Sequence, residues 1–168
     1  IKIAYLGNFT LDLLPPYFEV RAAAAGLQVE SYCAPYGQYF QAVLDGSVAA
    51  FEPDLVFLAL SLRLLHPEPI ARWSGLSESQ RRAFREEVAG HLEEWVSAAS
   101  GRLGATLVLA NFASPLLPAA GAVADLKAPY GESELYLDLN ADRLRRFKGN
   151  PRVQVFDAAS LVLHAFGT

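Results

Sequence analysis

The chain has 168 residues, 52% of them hydrophobic and 19% charged, and its formal net charge is −4. A chain of this length buries most of its apolar surface in one core, so we expect residues 1–168 to form a single domain. No apolar run approaches the roughly 20 residues that a membrane-spanning helix needs. The acidic balance also disfavours a protein held to nucleic acid by phosphate contacts.

The cysteine and histidine content predicts neither a disulfide nor a metal site. Cys33 is the only cysteine, so no internal disulfide can form, and the three histidines are too scattered for zinc-type spacing. The first apolar stretch meets Gly7 and Asn8 too early to be a secretory signal. We therefore expect a cytoplasmic protein with no cofactor, and an inert buried thiol at Cys33.

Short apolar segments bounded by Gly, Pro, Asn or Asp predict the strands. Residues 1–6, 54–60, 105–110 and 152–156 are rich in aliphatic side chains, which is typical of buried parallel strands. Residues 27–32 alternate more between polar and apolar positions, as an edge strand does.

Helical patterns lie between these strands. The clearest covers residues 77–100, with a capping box at Ser77 and Gln80 and a stop at Gly101. Residues 11–25, 38–45 and 132–147 predict shorter helices, the first beginning only after Pro15 and Pro16. The basic run of Arg143, Arg145, Arg146 and Lys148 predicts a solvated helix end.

This alternation predicts an α/β fold with a three-layer, doubly wound parallel sheet, flavodoxin-like in its strand order 2-1-3-4-5. Ligands bind such sheets at the carboxyl ends of the strands, where this chain places polar residues after every predicted strand. The candidate ligand-binding residues are Asn8, Gly37, Gln38, Arg63 and Asn111, with Asp157 after the last strand. Each of them could instead close a turn, cap a helix or form a salt bridge. The long connection 111–131 is expected to cover the same edge.

Several of these segments resemble a known family. Tyr5-Leu6-Gly7 leading into Asn8-Phe9 resembles the first block of SGNH (GDSL-type) esterases. Residues 6–11, 34–39 and 51–57 resemble more closely the amino-terminal region of FkbH-like proteins, and the likeness continues through 109–112 to 155–157. The resemblance implies an SGNH-hydrolase-like fold over nearly the whole chain.

In FkbH-like proteins such a domain precedes a haloacid-dehalogenase-type (HAD-type) domain, which loads a glyceryl unit onto an acyl carrier protein for polyketide assembly. The resemblance therefore implies a carrier protein or the adjoining HAD-type domain as partner, with more chain beyond Thr168. It also places Gly37 where the esterases have a backbone donor, and Arg63 where they have an asparagine. Residues 137–142 resemble the HAD Asp-x-Asp motif only superficially, because Asn140 stands at its third position.

The chain departs from the esterase pattern at the catalytic residues. Phe9 occupies the position of the serine and Ser160 that of the histidine, so only Asp157 remains of the triad. Thr10 and His164 are the available substitutes for the missing groups.

Three hypotheses follow. The first is a catalytically degenerate accessory domain that binds a carrier protein, a ligand or the adjoining domain. The second is an acyl- or glyceryl-transferring or hydrolysing enzyme with a non-standard site formed by Thr10, Arg63 and Asp157. The third is a structural module that dimerises through an exposed apolar patch, for which the sequence offers Trp73, Leu76, Leu116 and Leu117.

Overall fold

The computed structural model describes residues 1–161. Five parallel strands form one sheet in the order β2-β1-β3-β4-β5, which confirms the predicted topology. The strands are β1 (Lys2–Gly7), β2 (Glu30–Cys33), β3 (Leu55–Ala59), β4 (Thr106–Ala110) and β5 (Val153–Phe156). The strand β1 lies between β2 and β3 and pairs in parallel with both, so the loops after these three strands meet at one edge of the sheet, called here the strand-end edge.

Eight α-helices connect these strands within residues 1–157. They are α1 (Leu14–Ala24), α2 (Gln41–Leu44), α3 (Ser47–Phe51), α4 (Leu62–Leu65), α5 (Pro67–Ala71), α6 (Glu78–Arg102), α7 (Ala122–Lys127) and α8 (Glu132–Phe147). A 3-10 turn at Trp73–Gly75 precedes α6. No helix of the described part of the chain is long and apolar enough to cross a membrane.

The sequence located α6 and α8 well. Ser77 caps α6 and forms the predicted capping box with Gln80, which satisfies donors that the first turn leaves free. The apolar face of α6 is buried, as its spacing predicts; its members are Phe84, Val88, Leu92, Trp95, Val96 and Ala99. The predicted end at Ser100, with a stop at Gly101, is two residues early, because the helix runs through Arg102.

Three local predictions are wrong. The helix α1 begins at Leu14 and carries Pro15 and Pro16 in its first turn, where a missing N–H costs no intrahelical hydrogen bond. The segment 38–45 is helical only at Gln41–Leu44. Trp73 was a candidate for an exposed patch, yet it is 1% exposed and packs on Phe84 and Tyr130.

The two faces of the sheet are covered unequally. The face toward α6 and α8 contributes Ala4, Leu6, Val56, Leu58, Leu107 and Leu109 to the main core, all of them buried. The opposite face forms a smaller cluster around Ile3 and Tyr5, in which Leu55 and Phe57 are only partly buried. The helix α1 and residues 158–161 lie on this second side.

Candidate functional site

The loops after β1 and β3 are joined by the side chain of Asn8. Its amide nitrogen donates to the carbonyl of Ser61 at 2.9 Å, and its carbonyl oxygen accepts from the backbone N–H of Ser61 at 2.8 Å. Asn8 is buried, with 6% of its surface exposed. Both ends of the Asn8 carboxamide are thus engaged by the backbone of Ser61, and the two hydrogen bonds fix the loops after β1 and β3 relative to each other.

A second polar group joins β4 to the end of β5. Asn111 donates to Asp157 at 2.7 Å and accepts from the N–H of Ala159 at 2.8 Å. Asp157 also accepts from the hydroxyl of Ser160 at 2.6 Å and from its N–H at 3.1 Å. These hydrogen bonds favour the carboxylate and lower the pKa of Asp157. Asp157 therefore caps the turn that follows β5, and its two carboxylate oxygens are engaged by Asn111 and Ser160.

Arg63 holds the long connection in place. Its guanidinium contacts Glu132 at 2.9 Å and donates to the carbonyl of Leu117 at 3.0 Å. Glu132 is 1% exposed and also accepts from the N–H of Ala119 at 2.7 Å. The charge of Arg63 is thus matched by a buried carboxylate, which reduces its attraction for a phosphate or carboxylate ligand.

A pocket of about 190 Å³ lies between the loops that follow β1 and β2. Phe9, Thr10, Asp12, Cys33 and Tyr36 contribute to its lining. Thr10 is exposed, and Phe9 packs partly against the smaller apolar cluster. The pocket therefore places the aromatic rings of Phe9 and Tyr36 beside the Thr10 side chain.

Cys33 lies in this pocket as a protonated thiol. Its sulfur contacts a carboxylate oxygen of Asp12 at 3.5 Å. Burial, together with the hydrogen bond and negative charge of Asp12, raises the pKa of Cys33 to about 11. A thiolate is the reactive form of cysteine, so this environment agrees with the predicted inert role.

Gly37 and Gln38 belong to the turn after β2. Gly37 has φ +72°, a left-handed conformation that side chains disfavour, and Gln38 donates its N–H to the carbonyl of Pro35 at 3.0 Å.

Among the described residues, the candidate site residues form three separate groups, around Asn8, Asn111 and Arg63, and the turn at Gly37 lies beside the pocket. His164 lies outside the described residues. No group of three or more His, Cys, Asp or Glu side chains within residues 1–161 has metal-binding geometry.

Sequence reasoning missed the role of Arg143. This residue belongs to the basic run predicted as solvated, yet it is 3% exposed and donates to the carbonyl of Ala110. Its guanidinium lies 4.4 Å from the ring centre of Phe112, and burial lowers its pKa to about 10. Arg143 follows the buried Leu139 by four positions and the buried Tyr136 by seven, which places all three on one helix face and was the signal available in the sequence.

Asn140, which excluded the HAD motif, also has a structural role. Its amide donates to the carbonyl of Phe112 at 2.8 Å and accepts from the N–H of the same residue at 2.8 Å. Together with Arg143 it fixes the start of the connection after β4 against α8.

The fold and site define a class, a doubly wound α/β domain with a five-stranded parallel sheet and a polar strand-end edge. The sequence matches no protein-family profile and no curated protein. A similar solved structure is the N-terminal part of the protein BF1531 from Bacteroides fragilis, described as containing a phosphatase domain and complexed with Mg. The TM-score is 0.77 at 15% identity, over 99% of this chain and 42% of that chain. The chain thus spans less than half of that structure, and the likeness concerns the fold.

Proposed function

We propose that this chain is a non-hydrolytic, SGNH-hydrolase-like accessory domain of a larger FkbH-like protein. The proposal rests on which residues occupy the catalytic positions at the strand-end edge and on what they contact. Phe9 stands at the serine position, while Asp157 is engaged by Asn111 and Ser160. A phenyl ring cannot attack a carbonyl, and an aspartate that caps a turn orients no imidazole.

The architecture of the similar structure supports an accessory role. That chain is described as containing a phosphatase domain, and this domain matches 42% of it. We propose that the present domain likewise works beside a HAD-type domain and binds it or an acyl carrier protein during glyceryl loading. The pocket between the loops after β1 and β2 is the proposed contact, because it presents an exposed Tyr36 ring beside Phe9 and Thr10.

The competing function is acyl or glyceryl transfer through Thr10, Arg63 and Asp157. Arg63 is bound to Glu132 and Asp157 to Asn111, so neither is free to assist Thr10 in the described arrangement. An ester-hydrolysis assay with the purified chain, beside Thr10→Ala, separates the two functions. The accessory role predicts a rate equal to the buffer rate for both proteins. Turnover by the unmodified chain that Thr10→Ala abolishes would instead establish the enzyme.

A further inference from the structure

An apolar groove of about 370 Å³ runs across the less covered face of the sheet, away from the strand-end edge. Its floor includes Phe57, Val108 and Phe156, and one wall is formed by Leu14 and Phe18 of α1. Phe156 and Phe18 remain 40% and 43% exposed. Aromatic side chains of this size contribute strongly to stability when they are buried, so a groove of this kind marks a docking surface.

The chain itself leads into the groove. Residues 158–161 are helical, Ala158 packs against the apolar cluster of this face, and Leu161, the last described residue, lines the groove. The sequence continues Val162-Leu163-His164-Ala165-Phe166. Positions 158, 161, 162, 165 and 166 are all apolar and follow the i, i+3, i+4, i+7, i+8 spacing of one helix face.

We propose that the segment 162–168 is the occupant of this groove, with Val162, Ala165 and Phe166 against the sheet and α1. The first two members of the apolar series, Ala158 and Leu161, already contact this side. Leu163 and His164 fall outside the i, i+3, i+4, i+7, i+8 series, so the proposal does not assign them to the groove. Because the segment is joined covalently to Leu161, its docking requires no second molecule and depends on no partner of the strand-end edge.

Two conservative variants of the full chain test the assignment. Phe166→Trp puts an indole at a position of the apolar series, whereas Leu163→Trp puts it at a position outside that series. The native Trp73 and Trp95 are fully buried and supply a constant background. We expect acrylamide to quench the added indole several-fold less in Phe166→Trp than in Leu163→Trp, with a blue-shifted emission only in the former. Equal quenching of the two would overturn the proposal.

Stability gives a second readout that does not depend on fluorescence. Val162→Asp places a charge against apolar side chains, while Leu163→Asp leaves it in water, so only the former is expected to lower the unfolding midpoint. Equal midpoints would contradict the docking. Light scattering of the Phe166→Trp variant tests whether a second copy of the chain occupies the groove instead of the segment 162–168. Protection of the indole that disappears on dilution together with a dimer would assign the groove to a second copy and overturn the proposal.

Discussion

The carboxamide of Asn8 and the backbone of Ser61 form a pair of hydrogen bonds, in which Asn8 donates to the Ser61 carbonyl at 2.9 Å and accepts from the Ser61 N–H at 2.8 Å. This pair links the loop that carries Phe9 to the loop that carries Arg63. It therefore places the first and third loops of the strand-end edge relative to each other, and it is buried from water.

Replacing Asn8 by Asp keeps the acceptor for the Ser61 N–H but turns the donor into a second carboxylate oxygen facing the Ser61 carbonyl. A buried polar group that loses its partner costs about 1–3 kcal/mol, so we expect a loss of that order in the free energy of unfolding. Urea denaturation measures it, and the control is Asn150→Asp in the turn before β5, where the N–H of Arg152 donates to a side-chain oxygen that Asp retains. Equal effects at the two positions would show that the pair does not stabilise the edge.

Arg63→Ala leaves the carboxylate of Glu132 buried with the N–H of Ala119 as its remaining contact in the long connection. Breaking a fully buried ion pair costs about 3–5 kcal/mol. Since the Arg63 side chain is partly exposed, screening reduces the expected loss to roughly 1–3 kcal/mol. Arg82→Ala, which breaks the solvent-exposed pair with Glu78, is expected to change the free energy of unfolding much less than Arg63→Ala does. The account of Arg63 as a structural anchor fails if the two variants match.

Arg143→Met tests whether the buried guanidinium is retained for stability. Its Nε and one terminal nitrogen have no hydrogen-bond partner among the described residues, and no carboxylate balances its charge there. Replacing even a buried ion pair by apolar side chains of similar volume is often neutral or stabilising, by about 1–4 kcal/mol, and the Arg143 guanidinium has no ion pair to lose among the described residues. We expect the thermal midpoint to hold or rise. A clear fall would mean that the Ala110 hydrogen bond and the Phe112 ring outweigh the desolvation cost.

Alkylation of Cys33 reports on the pocket beside Thr10. With a pKa near 11, the thiolate is scarce at pH 8, and the rate is expected to rise about tenfold per pH unit until the pH approaches that value. Asp12→Asn removes the negative charge that opposes ionisation, so it should lower the pKa and speed iodoacetamide labelling at pH 8. Asp45→Asn, outside the residues that line the pocket, is the matched control and should leave the rate unchanged. A rate independent of Asp12 would rule out the contact.

The sheet could be predicted because each of its strands follows the same local pattern. Each strand is a short apolar segment between turn residues, and the strand order follows from right-handed crossovers. The capping box of α6 was equally accessible, because Ser77 and Gln80 are close in sequence. Contacts between residues that are far apart in the sequence could not be predicted. Asn8 meets Ser61 across 53 positions and Arg63 meets Glu132 across 69, so their sequence neighbourhoods could not show that turn residues and a surface arginine were already engaged.

The basic run 143–148 shows that the burial of individual side chains was also hard to predict from the sequence. Arg143 and Arg145 are two positions apart on α8, which places them on different faces, one buried and one exposed. The composition of the run does not distinguish the buried arginine from the exposed one. The burial of Trp73 likewise depends on Phe84 and Tyr130, which α6 and the long connection bring to it.

Our central proposal is that the pocket between the loops after β1 and β2 binds a partner and does not hydrolyse an ester. Its most direct test is a calorimetric titration of the chain with a holo acyl carrier protein and, separately, with the HAD-type domain of an FkbH-like protein. The variants are Tyr36→Ala at the pocket and Tyr17→Ala on α1, whose rings are similarly exposed at 66% and 68%. We predict saturable binding to one of the two partners that Tyr36→Ala weakens and Tyr17→Ala does not. Absence of heat with both partners, or equal weakening by the two variants, would contradict the account.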